Sequence, residues 1–100
     1  MKKIINGRLY NTESATRLGD WYNGYNSRDF RHCYEALYRK ANGEFFLYVT
    51  GGPLSIYAKS NGNDMCGDED IIKMSTDEAK AWAEKRLTAD EYLELFDIEE

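Results

Sequence analysis

One hundred residues, 42% apolar and 31% charged, fit one compact globular domain, 1–100, and exclude a disordered tail. No apolar run approaches the roughly 18 residues that a membrane-spanning helix needs. Met1-Lys2-Lys3-Ile4-Ile5 turns at Asn6-Gly7 before an apolar leader can form, so a cytoplasmic location and no membrane partner are expected. The net charge of −5 is divided unevenly: residues 1–60 carry nine Lys or Arg against five Asp or Glu, and residues 61–100 carry four against thirteen. Such a division draws basic partners to the C-terminal part and repels bare nucleic acid from it.

In chain order, Lys2 to Tyr10 has the form of a short hairpin, because Asn6-Gly7 tolerates the positive φ angles of a two-residue turn. Asn11 or Thr12 then caps a predicted short helix through Leu18, which Gly19 ends. Asp20 to Phe30 mixes large rings with turn formers and predicts a strand fragment followed by an ordered loop. Arg31 to Lys40, Ala41-Asn42-Gly43 and Glu44 to Thr50 predict a second hairpin. Tyr34, Ala36 and Tyr38 share one face of its first strand; Cys33, Glu35, Leu37 and Arg39 share the other. Apolar groups on both faces predict a central pair of strands, covered by helices on one side and partly covered on the other.

Gly51-Gly52-Pro53 interrupts that pairing, since proline lacks the ladder donor. The polar stretch 60–70 predicts an exposed loop, and Ile71-Ile72-Lys73-Met74 a last strand. Ser75 with Glu78, and Thr88 with Glu91, are spaced as capping boxes. Ala79, Trp82, Ala83 and Leu87 follow the first at helical spacing, and Tyr92, Leu95 and Phe96 follow the second. The expected fold class is α+β: an antiparallel sheet of about five to six strands, one short helix near the N-terminus and two C-terminal helices on one face.

Candidate chemistry is sparse. Cys33 and Cys66 form no CxxC pair and lie near no histidine cluster, so neither a zinc site nor a disulfide framework is expected. His32 is the only histidine, and its neighbour Cys33 points to the opposite side of a strand, which argues against a Cys–His nucleophile pair. Asp64, Asp68, Glu69 and Asp70 lack EF-hand spacing, and the glycines lack the GxxxxGK[ST] phosphate-loop pattern. No catalytic residue, metal or cofactor is expected.

Two surfaces remain. Arg28, Arg31, Arg39 and Lys40, with Trp21, Tyr22, Tyr25 and Phe30, can form a basic aromatic patch that stacks bases and neutralises phosphates. On the acidic side, Glu84, Asp90, Glu91, Glu94 and Asp97, joined by Asp77, Glu78, Glu99 and Glu100, can place carboxylates on two helices and partly imitate phosphates. Tyr92 and Tyr57 serve there as ring anchors. The plainer alternative for these acids is a solvated helix face, with acids near helix starts favoured by the dipole.

Ile5-Asn6-Gly7-Arg8-Leu9-Tyr10-Asn11-Thr12-Glu13, Trp21, Asn23-Gly24, Ser27-Arg28-Asp29-Phe30, Leu37-Tyr38-Arg39, Gly43, Phe46-Leu47-Tyr48, Gly51-Gly52-Pro53, Ser55 and Tyr57 together resemble a family of small hypothetical proteins. Ile71-Ile72, Glu78-Ala79 and Trp82 extend the resemblance over almost the full chain. These proteins occur in Gram-positive bacteria, often on phages, plasmids and integrative elements. The chain also resembles, in size and N-terminal pattern, a type II-A anti-CRISPR protein. One departure is Thr50, where relatives tend to carry an acid and a preceding glycine.

The resemblance implies an inhibitor of a host defence nuclease, which blocks guide RNA loading or DNA binding by the type II CRISPR effector protein or its guide RNA complex. Charge reversal at Glu91 and Glu94 is then expected to weaken binding more than folding. The alternative is a nucleic-acid-binding accessory or regulatory protein of a mobile element that uses the basic patch. Exposed tyrosines and sheet edges permit a homodimer without demanding one.

Overall fold

A computed structural model of the chain describes residues 1–26, 28–51, 59–61, 64–66 and 68–96. Strands β1 (Lys2–Ile5) and β2 (Arg8–Asn11) form a two-stranded hairpin. Asn6 and Gly7 take φ angles of 52° and 77° at its turn, which is the reason this dipeptide stands there.

The predicted helix from 11 or 12 to 18 is absent, and the chain instead enters strand β3 (Thr16–Tyr22). The capping signal at Asn11 is spent on a turn: its side-chain Oδ1 accepts from the Glu13 amide at 3.0 Å, and its carbonyl accepts from Ser14 and Ala15 at 3.3 and 3.2 Å. One turn of bonds does not propagate where the following residues gain a full ladder with a neighbouring strand. Gly19 is accordingly no helix terminator. A Cβ there would lie 2.9 Å from Leu87 Cδ2, so the glycine makes room for the end of the helix that packs on it.

The main sheet has four antiparallel strands in the order β3-β4-β5-β8, with β4 Cys33–Arg39, β5 Phe45–Gly51 and β8 Asp68–Met74. Lys59–Asn61 and Asp64–Cys66 (β6 and β7) pair with each other and, among the described residues, with no other strand. The expected sheet of five or six strands is thus one four-stranded sheet and two separate hairpins, and the expected loop over 60–70 contains strand. The N-terminal hairpin adds no strand to the sheet edge; it lays the face bearing Ile5 and Tyr10 over the sheet and leaves Ile4 and Leu9 exposed on the other. Lys3 then closes the β8 edge, donating from Nζ to Asp70 Oδ1 at 2.5 Å and to the Ile71 carbonyl at 3.4 Å. Gly52 and Pro53 of the expected break lie outside the described residues; β5 ends at Gly51.

Helices α1 (Thr76–Arg86) and α2 (Ala89–Leu95) close the described chain, each with a complete capping box. They cover one face of the sheet: Ala79, Trp82, Ala83 and Phe96 are buried against Leu37, Phe45, Leu47 and Val49. The other face carries a second core in which Tyr10 from the hairpin is buried with Phe46 and Ile71. Phe46 meets Tyr10 edge-on at 5.6 Å and stacks flat on Tyr38 at 5.2 Å. Two thin aromatic cores on one sheet account for the apolar residues on both faces of β4 and β5.

Candidate functional site

The helical acids divide into those the fold uses and those it leaves in solvent. Glu78 accepts from the Ser75 amide at 2.9 Å and Glu91 from the Thr88 amide at 3.0 Å, each closing a capping box. These backbone bonds, followed by those from the Ser75 and Thr88 hydroxyls, hold both carboxyls below the usual glutamate range. Glu91 is therefore a structural group, and charge reversal there removes a helix cap as well as a charge.

Glu84, Asp90 and Glu94 are exposed and, among the described residues, form no ion pair. Asp90 and Glu94 stand one helical turn apart on α2, beside Ala89 and Leu93 at the same spacing. Leu93 is 52% exposed, so an aliphatic side chain stands among free carboxylates. Tyr92 points elsewhere: it is half-buried with its ring 5.2 Å from Phe96 and packs on the core, so it is no free interface anchor. Asp97 and Tyr57 lie outside the described residues.

The basic set does not form one patch. Arg28 and Arg31 lie in the β3–β4 loop, whereas Arg39 and Lys40 lie at the other end of β4. Seven residues of strand separate the ends by about 20 Å. Lys40 is also engaged, with Nζ 4.3 Å from the centre of the Tyr10 ring and 3.7 Å from Glu44 Oε2. Arg31 donates from Nε and Nη2 to the Asp29 carboxylate, both at 3.1 Å, and its guanidinium lies 4.1 Å from the centre of the Tyr25 ring. Those bonds raise the Arg31 pKa and lower that of Asp29. Trp21 is half-buried against the core, with the Arg86 guanidinium over its ring at 3.5 Å.

Beneath α1 lies a polar cluster that the residue pattern did not announce. Glu35 is 4% exposed in the middle of β4; its Oε1 accepts from Trp82 Nε1 at 2.8 Å and from Arg86 Nε at 3.3 Å. Arg86 thus lies between the buried carboxylate and Trp21, tying the end of α1 to β3 and β4. The only available signal was a glutamate among the otherwise apolar residues Cys33 and Leu37 of one strand face. The buried Cys33 thiol is pushed up by desolvation and then by the Glu35 charge, while the Arg86 charge acts in the opposite direction. A thiol held protonated in this way is a poor nucleophile. His32 Nδ1 lies 2.7 Å from the Tyr25 carbonyl, which can only accept, so this ring nitrogen donates and holds the loop.

Among the described residues no group of three or more His, Cys, Asp or Glu converges to hold a metal ion. A cavity of about 380 Å³ between the hairpin and the start of α1 is lined by Arg8, Tyr10, Glu44, Lys73 and Glu78. Its acids are already committed: Glu44 accepts from the Tyr10 hydroxyl at 3.0 Å, from Asn42 at 2.8 Å and from Arg8, and Glu78 is the cap described above. The strongest unspent feature is therefore the exposed acidic ridge of Asp90 and Glu94 on α2, with Glu84 exposed on α1. Compared with protein-family models, curated proteins and solved structures, the chain matches none.

Proposed function

We propose that this chain is a non-enzymatic inhibitor from a mobile genetic element, acting in the bacterial cytoplasm on a host defence nuclease, the type II CRISPR effector. The observation that carries the reading is the exposed ridge of Asp90 and Glu94 beside the exposed Leu93 on α2, with Glu84 exposed on α1. An RNA-guided nuclease holds its guide and heteroduplex in strongly positive channels. Free carboxylates on a rigid helix compete there for Arg and Lys, and Leu93 adds the apolar contact that charge alone does not give. The resemblance to anti-CRISPR proteins set out above supports the same target class. The nucleic-acid reading loses support, because Arg28 and Arg31 stand apart from Arg39 and Lys40, and both Arg31 and Lys40 are bound internally.

The test is cleavage of target DNA by a purified type II effector, with the protein added before or after guide RNA loading. Inhibition is expected, and its dependence on order distinguishes blocked loading from blocked DNA entry. Full cleavage in both orders overturns the proposal.

A further inference from the structure

The loop between β3 and β4 is ordered by its own polar groups. Asn23 Nδ2 donates to the Arg31 carbonyl at 2.8 Å, and Asn23 Oδ1 accepts from the Cys33 amide at 3.2 Å. Asn26 Oδ1 accepts from the Arg28 amide at 2.9 Å, and Asp29 Oδ1 from the Arg31 amide at 2.8 Å. His32 and the Arg31–Tyr25 stack complete the frame. Despite this internal order the loop turns its largest apolar side chain outward: Phe30 is 64% exposed, and Tyr22 at the adjoining strand end is 57% exposed.

A phenylalanine exposed on an internally bonded loop leaves its burial free energy unused. It also needs little further ordering to bind, which is how a preformed anchor gains affinity. Beside it lies a cleft of about 340 Å³ lined by Arg28, Asp29, Phe30 and Arg31. The cations of that cleft are not equivalent. Arg31 is committed to Asp29, whereas Arg28 is exposed and forms no ion pair among the described residues.

We infer that this loop is a second contact for the same partner protein, with Phe30 seated in an apolar pocket and Arg28 meeting a carboxylate at the pocket rim. The identity of the partner rests on the function proposed above; the chemistry of the contact rests on the loop itself. Charge selects a protein over RNA as the occupant. One uncommitted guanidinium neutralises about one phosphate, on a chain whose net charge is −5. The same guanidinium suffices for a single carboxylate beside an apolar anchor. The loop leaves the sheet at the Tyr22 and Cys33 end, whereas Phe96, at the end of α2, packs on Phe45 at the other end of β4 and β5. Glu94, two residues before Phe96, and the loop therefore offer two separated contacts on one sheet, whose effects on affinity multiply when both engage.

The experiment is titration of the purified, guide-free type II effector with wild-type protein and with Phe30→Ala, Arg28→Glu and Glu94→Lys, alongside melting temperatures. Phe30→Ala is expected to weaken binding about tenfold or more, and Arg28→Glu several-fold, with melting temperatures unchanged because both side chains are exposed. If Glu94→Lys weakens binding while Phe30→Ala and Arg28→Glu leave it unchanged, the second contact is overturned and the acidic ridge stands. If wild-type protein does not bind, the proposed function falls and this inference with it. Binding of a mixed-sequence single-stranded RNA that Phe30→Ala abolishes overturns the inference in favour of base stacking.

Discussion

Arg86 has two roles at once, since its guanidinium covers Trp21 at 3.5 Å and faces the buried Glu35 carboxylate at 3.3 Å. Removing one member of a buried pair leaves the other charge desolvated, which costs more than the pair contributes when intact. Arg86→Met is expected to destabilise the fold by about 3 kcal/mol in urea unfolding. Glu35→Gln in the same chain should recover part of that loss, because it removes the buried charge. The titrating groups set the two ends of the pH range. Glu78 and Glu91 are depressed by their cap bonds, and Glu44 first by the Tyr10 hydroxyl. Stability from these groups is therefore present above the ordinary glutamate range and lost as pH falls through their lowered values. Tyr48 shows the opposite sign. Burial, and then its 2.6 Å bond to Glu69, push it up to about 12, so its contribution is complete below the ordinary tyrosine value and is lost as pH rises towards 12. Circular dichroism across pH should show helix loss on the acid side and loss of sheet packing on the alkaline side.

The two capping boxes determine which charge variants are informative. Thr88→Ala should cost about 1 kcal/mol in chemical unfolding by freeing the α2 amides, and Glu91→Lys should show a similar loss. Glu84→Lys and Glu94→Lys, which break no cap, should leave the unfolding midpoint nearly unchanged. These boxes and the Asn6-Gly7 hairpin were legible in the sequence because each depends on residues within four positions of one another. The Asn11 signal was just as local, but the same side chain serves a helix cap and an Asx turn, and pairing of Thr16–Tyr22 with β4 decided between them. Nothing local predicted that the N-terminal hairpin would lie over the sheet, since its seat depends on Tyr10 reaching Phe46. The site was partly legible for the same reason: the Thr88 and Glu91 spacing already marked Glu91 as a cap, whereas the exposure of Glu84, Asp90 and Glu94 without ion pairs among the described residues left no local trace. The Glu35–Arg86 contact spans 51 residues and leaves no periodic trace.

Over the whole molecule, charge and shape act together. The basic groups are scattered or paired internally, whereas Glu84, Asp90 and Glu94 are exposed on two helices fixed to the sheet by Trp82, Phe96 and the Arg86 contacts. Association driven by those acids should slow as ionic strength rises, because free surface charges are screened over about 10 Å at 0.1 M salt. The decisive measurement is inhibition of target-DNA cleavage by the Glu84→Lys/Glu94→Lys double variant against wild type at matched concentration and salt. Inhibition weakened at least about tenfold, equivalent to roughly 1.4 kcal/mol, with an unchanged melting temperature, is the expected outcome. Equal inhibition by the two proteins would show that the acidic ridge is not the inhibitory surface.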